Sequence, residues 1–368
     1  MRVGLLTFHD AINYGAVFQA VALSKTLTKI CKEECDIIDY RCAQIDSMYQ
    51  VVEKNLIKKI LKIFYTNAKK KTFRNFVKSN CNLSKKINST SIDQISDSYD
   101  CMVVGSDQVW NGNITGHDYN YLLKFAGRNT KRLSYAASIG NYSVLETENS
   151  IFGDELAKFS GISVREPAGA KVIQQYTEKD VFVHVDPTLL LDWKEWAQLA
   201  KAPKTSEKYI FIYASGNVTK ILNTAQMIAK KTGMKIYYMG NYAIQGAKKL
   251  SFVSPSEWLG YVQNAECVLT NSFHGTVFSV IFKKNFFVDL GEFEIRNGTK
   301  MRHNDRAENL ITLMGLENRV IENASEEFDR QIKWNKMENS LLEKKKQAFD
   351  YLRTVLGIID EVEENAGI

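Results

Sequence analysis

Short apolar runs alternate with longer segments of helical period along this chain, twice over. RVGLLTF, starting at Arg2, reads as a buried strand and HDAINYG as a loop. AVFQAVALSKTLTKI then carries apolar residues at i, i+3, i+4 and i+7, the spacing of a helix. CDIIDY is the next expected strand, and YDCMVVGSD a strand that ends in a Gly-Ser-Asp loop. RLSYAAS and GISVREP follow as strands, AGAKVIQQYT as a short helix, and VFVHVDPTLLL as a strand ending in Asp-Pro. A polar stretch, Lys201 to Lys208, reads as a linker, and the alternation restarts with YIFIYAS. GNVTKILNTAQMIAKKTG is a loop and helix closing on Gly233, KIYYMGN a strand, and SPSEWLGYVQNA a helix with Ser254 or Ser256 as N-cap. ECVLTNSFHGTVFSVIF passes from strand to helix through a polar junction that holds His274. From Ser325 onward the pattern is one or two long polar helices.

Two consecutive β/α blocks predict an α/β chain of two Rossmann-like, parallel-sheet domains facing a cleft, with C-terminal helices. The expected boundaries are 1–200, with a basic helical insertion over about 45–90, then 207–325, then a helical segment 326–368. A length of 368 residues suits two domains rather than one core. Hydrophobic residues at 45% and charged ones at 24% exclude a disordered or collagen-like chain. No apolar run approaches the roughly 18 residues of a membrane span. The start, MRVGLLTFHD, reads as a first strand and not as a signal peptide. Six cysteines without CxxC pairs are expected to be reduced thiols in a cytosol. Cys31, Cys35 and Cys42 fit no familiar zinc spacing.

The net charge of +6 is unevenly placed. Eleven Lys/Arg residues against one acid, Glu53, lie between Val51 and Lys86. Ile57, Ile60, Leu61, Phe64 and Ala68 recur among them at helical spacing, so this is a basic amphipathic helix. It reads either as a solvated face or as a surface for an anionic substrate or lipid headgroups.

Parallel sheets bind ligands at the carboxyl ends of their strands. That rule selects His9, Asp10, Asn13 and Gly15; Gly105, Ser106 and Asp107; Arg165 and Glu166; Asp186; Ser215, Gly216 and Asn217; and Asn271, Ser272, His274 and Gly275. NYGA, SGNV and SFHGT run straight into helix N-termini, whose unpaired N–H groups suit phosphate. His274 then sits where a proton can be exchanged beside that phosphate, or is a packed residue of the junction. Arg165 with Glu166 is either an ion pair bracing a loop or an arginine fork for a carboxylate or phosphate. There is no P-loop, GxGxxG, HExxH or dense acidic cluster. Residue patterns alone therefore reach a two-domain α/β enzyme that handles a phosphorylated ligand.

Seven segments in order, from about residue 3 to 320, resemble the polysaccharide pyruvyl transferase family: NYGAVFQAVAL, VVGSDQVWN, YAASIG, SVREPAG, VDPTLLL, YVQNAECVLTNSFHGTVFSVIFKKNFFV and NDRAENLITLMGL. The resemblance implies a GT-B-like fold with its active site in the interdomain cleft. It implies transfer of pyruvyl from phosphoenolpyruvate, a co-substrate, onto a sugar hydroxyl pair of a polysaccharide or lipid-linked glycan, closing a cyclic ketal. It implies no metal, no other cofactor and no nucleic-acid partner. His274 matches the family's histidine, as acid/base or phosphate partner, and Arg165 matches an arginine that binds the donor. Asp107 joins His274 as a catalytic candidate. Asn13, Gly15, Ser272, Phe273 and Gly275 are donor-binding candidates, with Gln19 and Glu166 on the acceptor side. Related enzymes often carry an arginine two residues before the histidine; here that position is Ser272. Arg296, Arg302, His303 and Arg306 lie downstream, and Arg302 is the expected substitute cation.

Two rival readings stay open. A GT-B nucleotide-sugar glycosyltransferase would use the same helix N-terminus for a diphosphate, with Glu292 or Glu294 for a ribose. A non-catalytic glycan-binding relative is the other. The basic helix suggests peripheral contact with the inner face of the cytoplasmic membrane, where a lipid-linked acceptor would reside. The acceptor sugar is not readable from the sequence.

Overall fold

The computed structural model describes residues 1–140, 149–240, 243–294, 300–302 and 305–358. The chain divides into two compact units, Met1–Leu190 with Lys344–Ile368, and Leu191–Glu343. Unit 1 is built on a five-stranded sheet of β1 (Val3–Leu6), β2 (Asp36–Ile37), β3 (Asn82–Leu83), β4 (Cys101–Val104) and β5 (Lys131–Ser134), in the order β3-β2-β1-β4-β5. Unit 2 repeats that order with β6 (Tyr209–Tyr213), β7 (Lys235–Met239), β8 (Ala247–Lys249), β9 (Cys267–Thr270) and β10 (Asn285–Val288), as β8-β7-β6-β9-β10. Every pairing in both sheets is parallel. This confirms two Rossmann-like units with helices following at the C-terminus.

The central strands are continuous apolar runs because helices cover both faces of a parallel sheet. β1, β4 and β9 are buried at every position. Helix α1 (Tyr14–Cys31) starts where the Asn13 side chain accepts from Ala16 N and ends at Lys32 in the left-handed region. Its first ten residues, Tyr14 to Leu23, are all buried. Helix α2 (Leu56–Lys78) is the basic helix, held to α1 through Phe73 on Tyr14 and Phe76 on Phe18. Helix α3 (Pro167–Ile173) follows Glu166.

CDIIDY is not one strand. β2 ends at Ile37, and Tyr40–Arg41 leaves the main sheet to pair with Ile87–Asn88. The break lies at Asp39, whose carboxylate turns inward to meet His9, Arg41 and Arg74.

The division at Leu190 falls before the polar stretch 201–208 that read as the linker. Helix α4 (Trp193–Leu199) belongs to unit 2 because its fully buried Trp196 meets Phe278 edge-on, ring centroids 4.8 Å apart. Helices α5 (Thr219–Thr232) and α6 (Pro255–Asn264) cover the unit-2 sheet. Ser254 is the N-cap of α6, in a reciprocal capping box with Glu257. The segment 326–368 is not a separate body. Helix α9 (Trp334–Leu356), which follows α7 (Phe273–Ile281) and α8 (Asp305–Leu313), joins unit 1 from Lys344. There Tyr351 donates to the Ser134 carbonyl at 2.9 Å, and its ring lies 4.6 Å from that of His184.

Candidate functional site

The order 3-2-1-4-5 in each sheet places a topological switch point beside the first strand, where the connections diverge and leave a crevice. In unit 2 that point lies between β6 and β9. The loop after β9 is built there by local hydrogen bonds. Thr270 Oγ1 donates to the Tyr213 carbonyl at 2.6 Å, tying the ends of the two strands together. Asn271 exchanges two bonds with Ser215, donating to its carbonyl at 2.6 Å and accepting from its N–H at 3.1 Å. Ser272 is the N-cap of α7, its side chain accepting from Gly275 N. Gly275 is needed for closeness: a Cβ there would lie 2.2 Å from Thr270 Oγ1.

Phe273 is buried, His274 is half-buried, and their rings sit 5.0 Å apart at 74°. The Arg306 guanidinium lies over the Phe273 ring, 5.7 Å from its centroid. A cation therefore stands beside the α7 N-terminus although the loop itself carries Ser272. The Tyr213 phenol also reaches Ser272; burial pushes its pKa up to about 12 although that hydrogen bond works the other way. Neither Arg306 nor Tyr213 was legible as part of the loop. Tyr213 closes an ordinary apolar strand, and Arg306 was one of several downstream cations. Arg302 pairs through its backbone with Glu292 in a short antiparallel ribbon. Arg296 and His303 lie outside the described residues.

In unit 1 the switch point lies between β1 and β4. Arg165 is there but turned inward, its side chain 3% exposed. Its Nε donates to Glu166 Oε1 at 2.9 Å, and its Nη1 donates to Asp186 Oδ2 at 2.9 Å and to Ser106 Oγ. Burial works against the charge, but the Coulomb pull of Glu166, Asp186 and Asp107 overrides it and raises the guanidinium pKa. These bonds make an ion pair within the unit, and Asp186 Oδ1 also accepts from Thr188 N and Oγ1. Nε and Nη1 of the fork expected to grip a donor are engaged by groups of its own unit. Glu166 Oε2 is buried and accepts no hydrogen bond among the described residues.

Asp107 adopts φ +79°, a left-handed conformation costly for a residue with a Cβ, and caps Gln108 N with its own side chain. Asn13 and Gly15 open α1, Asn13 exposed and Gly15 buried. Gln19 corrects its expected acceptor role. It is 0% exposed, and its amide nitrogen donates to Thr7 Oγ1, Phe8 O and Ala16 O, so it locks α1 to the end of β1. A second network had no local signal because its members are far apart in sequence. His9 Nε2 lies 3.0 Å from Asp39 Oδ1, and Arg41, Arg74 and Lys70 join Asp39 and Asp10. Burial opposes the Asp39 charge, but hydrogen bonds from His9 and Arg74 hold its carboxyl below the usual range. A small recess of about 20 Å³ beside it is lined by His9, Asp10, Arg41, Cys42, Asp46 and Tyr121 among others. Among the described residues, no group of three His, Cys, Asp or Glu side chains is placed to hold a metal ion.

A profile of polysaccharide pyruvyl transferases matches residues 13–288, from the N-cap of α1 through β10. The chain belongs to the polysaccharide pyruvyl transferase family. Its fold is the GT-B type found in UDP-N-acetylglucosamine 2-epimerases. One such epimerase superposes with a TM-score of 0.54 at 10% identity, over 98% of this chain and 97% of its own. The enzyme from Neisseria meningitidis, bound to UDP-GlcNAc, gives 0.51 at 11% identity over 96% and 100%. That from Methanocaldococcus jannaschii gives 0.50 at 12% over 94% and 92%. At such identities the likeness concerns the fold alone. No curated protein sequence matches this chain.

Proposed function

We propose that this pyruvyl transferase takes its pyruvyl group from phosphoenolpyruvate and closes it as a ketal on two hydroxyls of a sugar. The observation that carries the reading is the β9–α7 loop of a family member: a capped helix N-terminus, a half-buried imidazole and a neighbouring guanidinium in one place. In the reaction C3 of the enol takes a proton, and an oxocarbenium-like centre develops at C2. One sugar hydroxyl attacks C2 and loses its proton to a base; phosphate then leaves, and the second hydroxyl closes the ring and gives up its own proton. The products are the cyclic ketal and inorganic phosphate.

His274 is assigned the proton exchange at the donor. The first-turn N–H groups of α7, with the partial positive charge of the helix end, take the phosphate. Arg306, which we assign in place of Arg302, supplies the charge that Ser272 lacks. Acceptor recognition is assigned to Glu166, the residue that opens α3. The test is phosphate release from phosphoenolpyruvate across a panel of sugar and lipid-linked acceptors. Acceptor-dependent release that falls by about 10²-fold or more in His274→Ala supports the reading. Release from no acceptor in the panel, or release indifferent to His274, refutes it.

A further inference from the structure

The N-terminal half of α2 presents an apolar stripe that nothing in its own unit covers. At about 100° per residue, Leu56, Ile57, Ile60, Leu61, Ile63 and Phe64 fall within an arc of about 160°. They are exposed: Ile57 71%, Leu61 64% and Phe64 70%. The same helix is fixed to unit 1 by Phe73, Phe76 and Val77, which are buried and project roughly opposite that stripe. Arg74 on Asp39 and Lys70 on Asp10 clamp that C-terminal half further. The stripe therefore points away from the body that holds the helix and cannot fold back onto it without breaking those contacts. Across the whole helix there are eight Lys/Arg residues and no Asp or Glu. Lys58 and Lys59 are exposed on the two flanks of the stripe, and Lys62 is exposed opposite it, where it pairs with Glu53 at 2.7 Å.

We propose that this half-helix lies on an anionic lipid bilayer, its apolar stripe entering the headgroup–acyl boundary and its lysines meeting the lipid charge. An apolar arc with a lysine-rich opposite face and no acid is the pattern of an in-plane interfacial helix. Charge also argues against a second copy of the chain as occupant, because two such helices face to face would set lysine against lysine, the one nearby acid, Glu53, being already paired with Lys62 at 2.7 Å. Among the described residues no helix is long and apolar enough to cross a membrane, so the contact is peripheral. The inference stands independently of the donor and acceptor assigned above.

The test is co-sedimentation of the full chain with vesicles of phosphatidylcholine alone or mixed equally with phosphatidylglycerol. Partition into the anionic vesicles only, reversed at high ionic strength, is the expected result. Replacing Lys58, Lys59 and Lys62 together by alanine lowers partitioning by about 10²-fold. Leu61→Glu with Phe64→Glu abolishes it, with thermal unfolding unchanged because both side chains are exposed. Phe64→Trp places a reporter in the stripe whose emission shifts to the blue on binding. Equal partition into both vesicle types overturns the proposal, as does none into either. A dimer in lipid-free buffer that Leu61→Glu disperses overturns it in favour of a second copy.

Discussion

Arg165→Ala separates a structural arginine from a ligand-binding one. In the folded protein its guanidinium is enclosed with Glu166 and Asp186, whose side chains are 6% and 0% exposed. Removing it leaves two carboxylates without their cation in a site water scarcely reaches. Breaking a buried ion pair in this way costs about 3–5 kcal/mol, most of it the penalty of the stranded charge. For a body of this size each kcal/mol moves the midpoint by about 2–4 °C, so unit 1 should melt roughly 6–20 °C lower. The assay is thermal and urea unfolding of wild type, Arg165→Ala and Arg165→Met/Asp186→Asn. The double variant should recover part of the loss, since it removes a stranded charge while Asp186→Asn keeps an acceptor for Thr188. An unchanged midpoint in Arg165→Ala, with phosphoenolpyruvate binding lost, would show that the arginine serves the ligand and does not brace the loop.

Acid should weaken unit 1 through His184. Burial, with Lys344 nearby, lowers its pKa to about 4, and its ring is stacked on Tyr135 with Nδ1 2.8 Å from Ser163 Oγ. The unfolded chain protonates this histidine from about pH 6.5 downward while the folded one refuses the proton until about pH 4. Its contribution is thus present above pH 6.5 and lost as the pH falls toward 4, by roughly 2–3 kcal/mol at pH 4.5; urea midpoints at pH 7 and 4.5 measure it, and His184→Gln should flatten the difference. Gly275→Ala drives a Cβ against Thr270 Oγ1 and should unseat α7, reducing donor binding and stability together in paired titration and melting experiments. Ser272→Ala removes the α7 cap at a cost of about 1 kcal/mol in urea unfolding, while the cation beside Phe273 stays.

The period of the hydrophobic pattern carried most of the architecture. β1, β4, β6 and β9 are buried on both faces and so read as unbroken apolar runs, and Gly233 closes α5 in the left-handed region as a C-terminal glycine does. The loops after strands were legible for the same reason, since a strand's end is where polar residues interrupt the run. What the pattern did not carry depends on side chains that meet across long separations. Arg165 reads alike whether or not it is paired with Asp186, and only packing shows that pair. Asp39 broke CDIIDY because His9, Arg41 and Arg74 converge on it, which no local spacing announces. Gln19, on the first helical turns behind a site loop, looked like a ligand residue but was spent on backbone carbonyls. The helix at 56–78 was legible with its charge, whereas the direction of its apolar stripe required the buried Phe73 and Phe76 as a reference.

Calorimetric titration of the full chain with phosphoenolpyruvate and, separately, with UDP-GlcNAc tests the central assignment most directly, because the fold is shared with enzymes of that nucleotide sugar. The account predicts saturable binding of phosphoenolpyruvate that weakens in Arg306→Ala, and no binding of UDP-GlcNAc. Saturable binding of UDP-GlcNAc with none of phosphoenolpyruvate would contradict it.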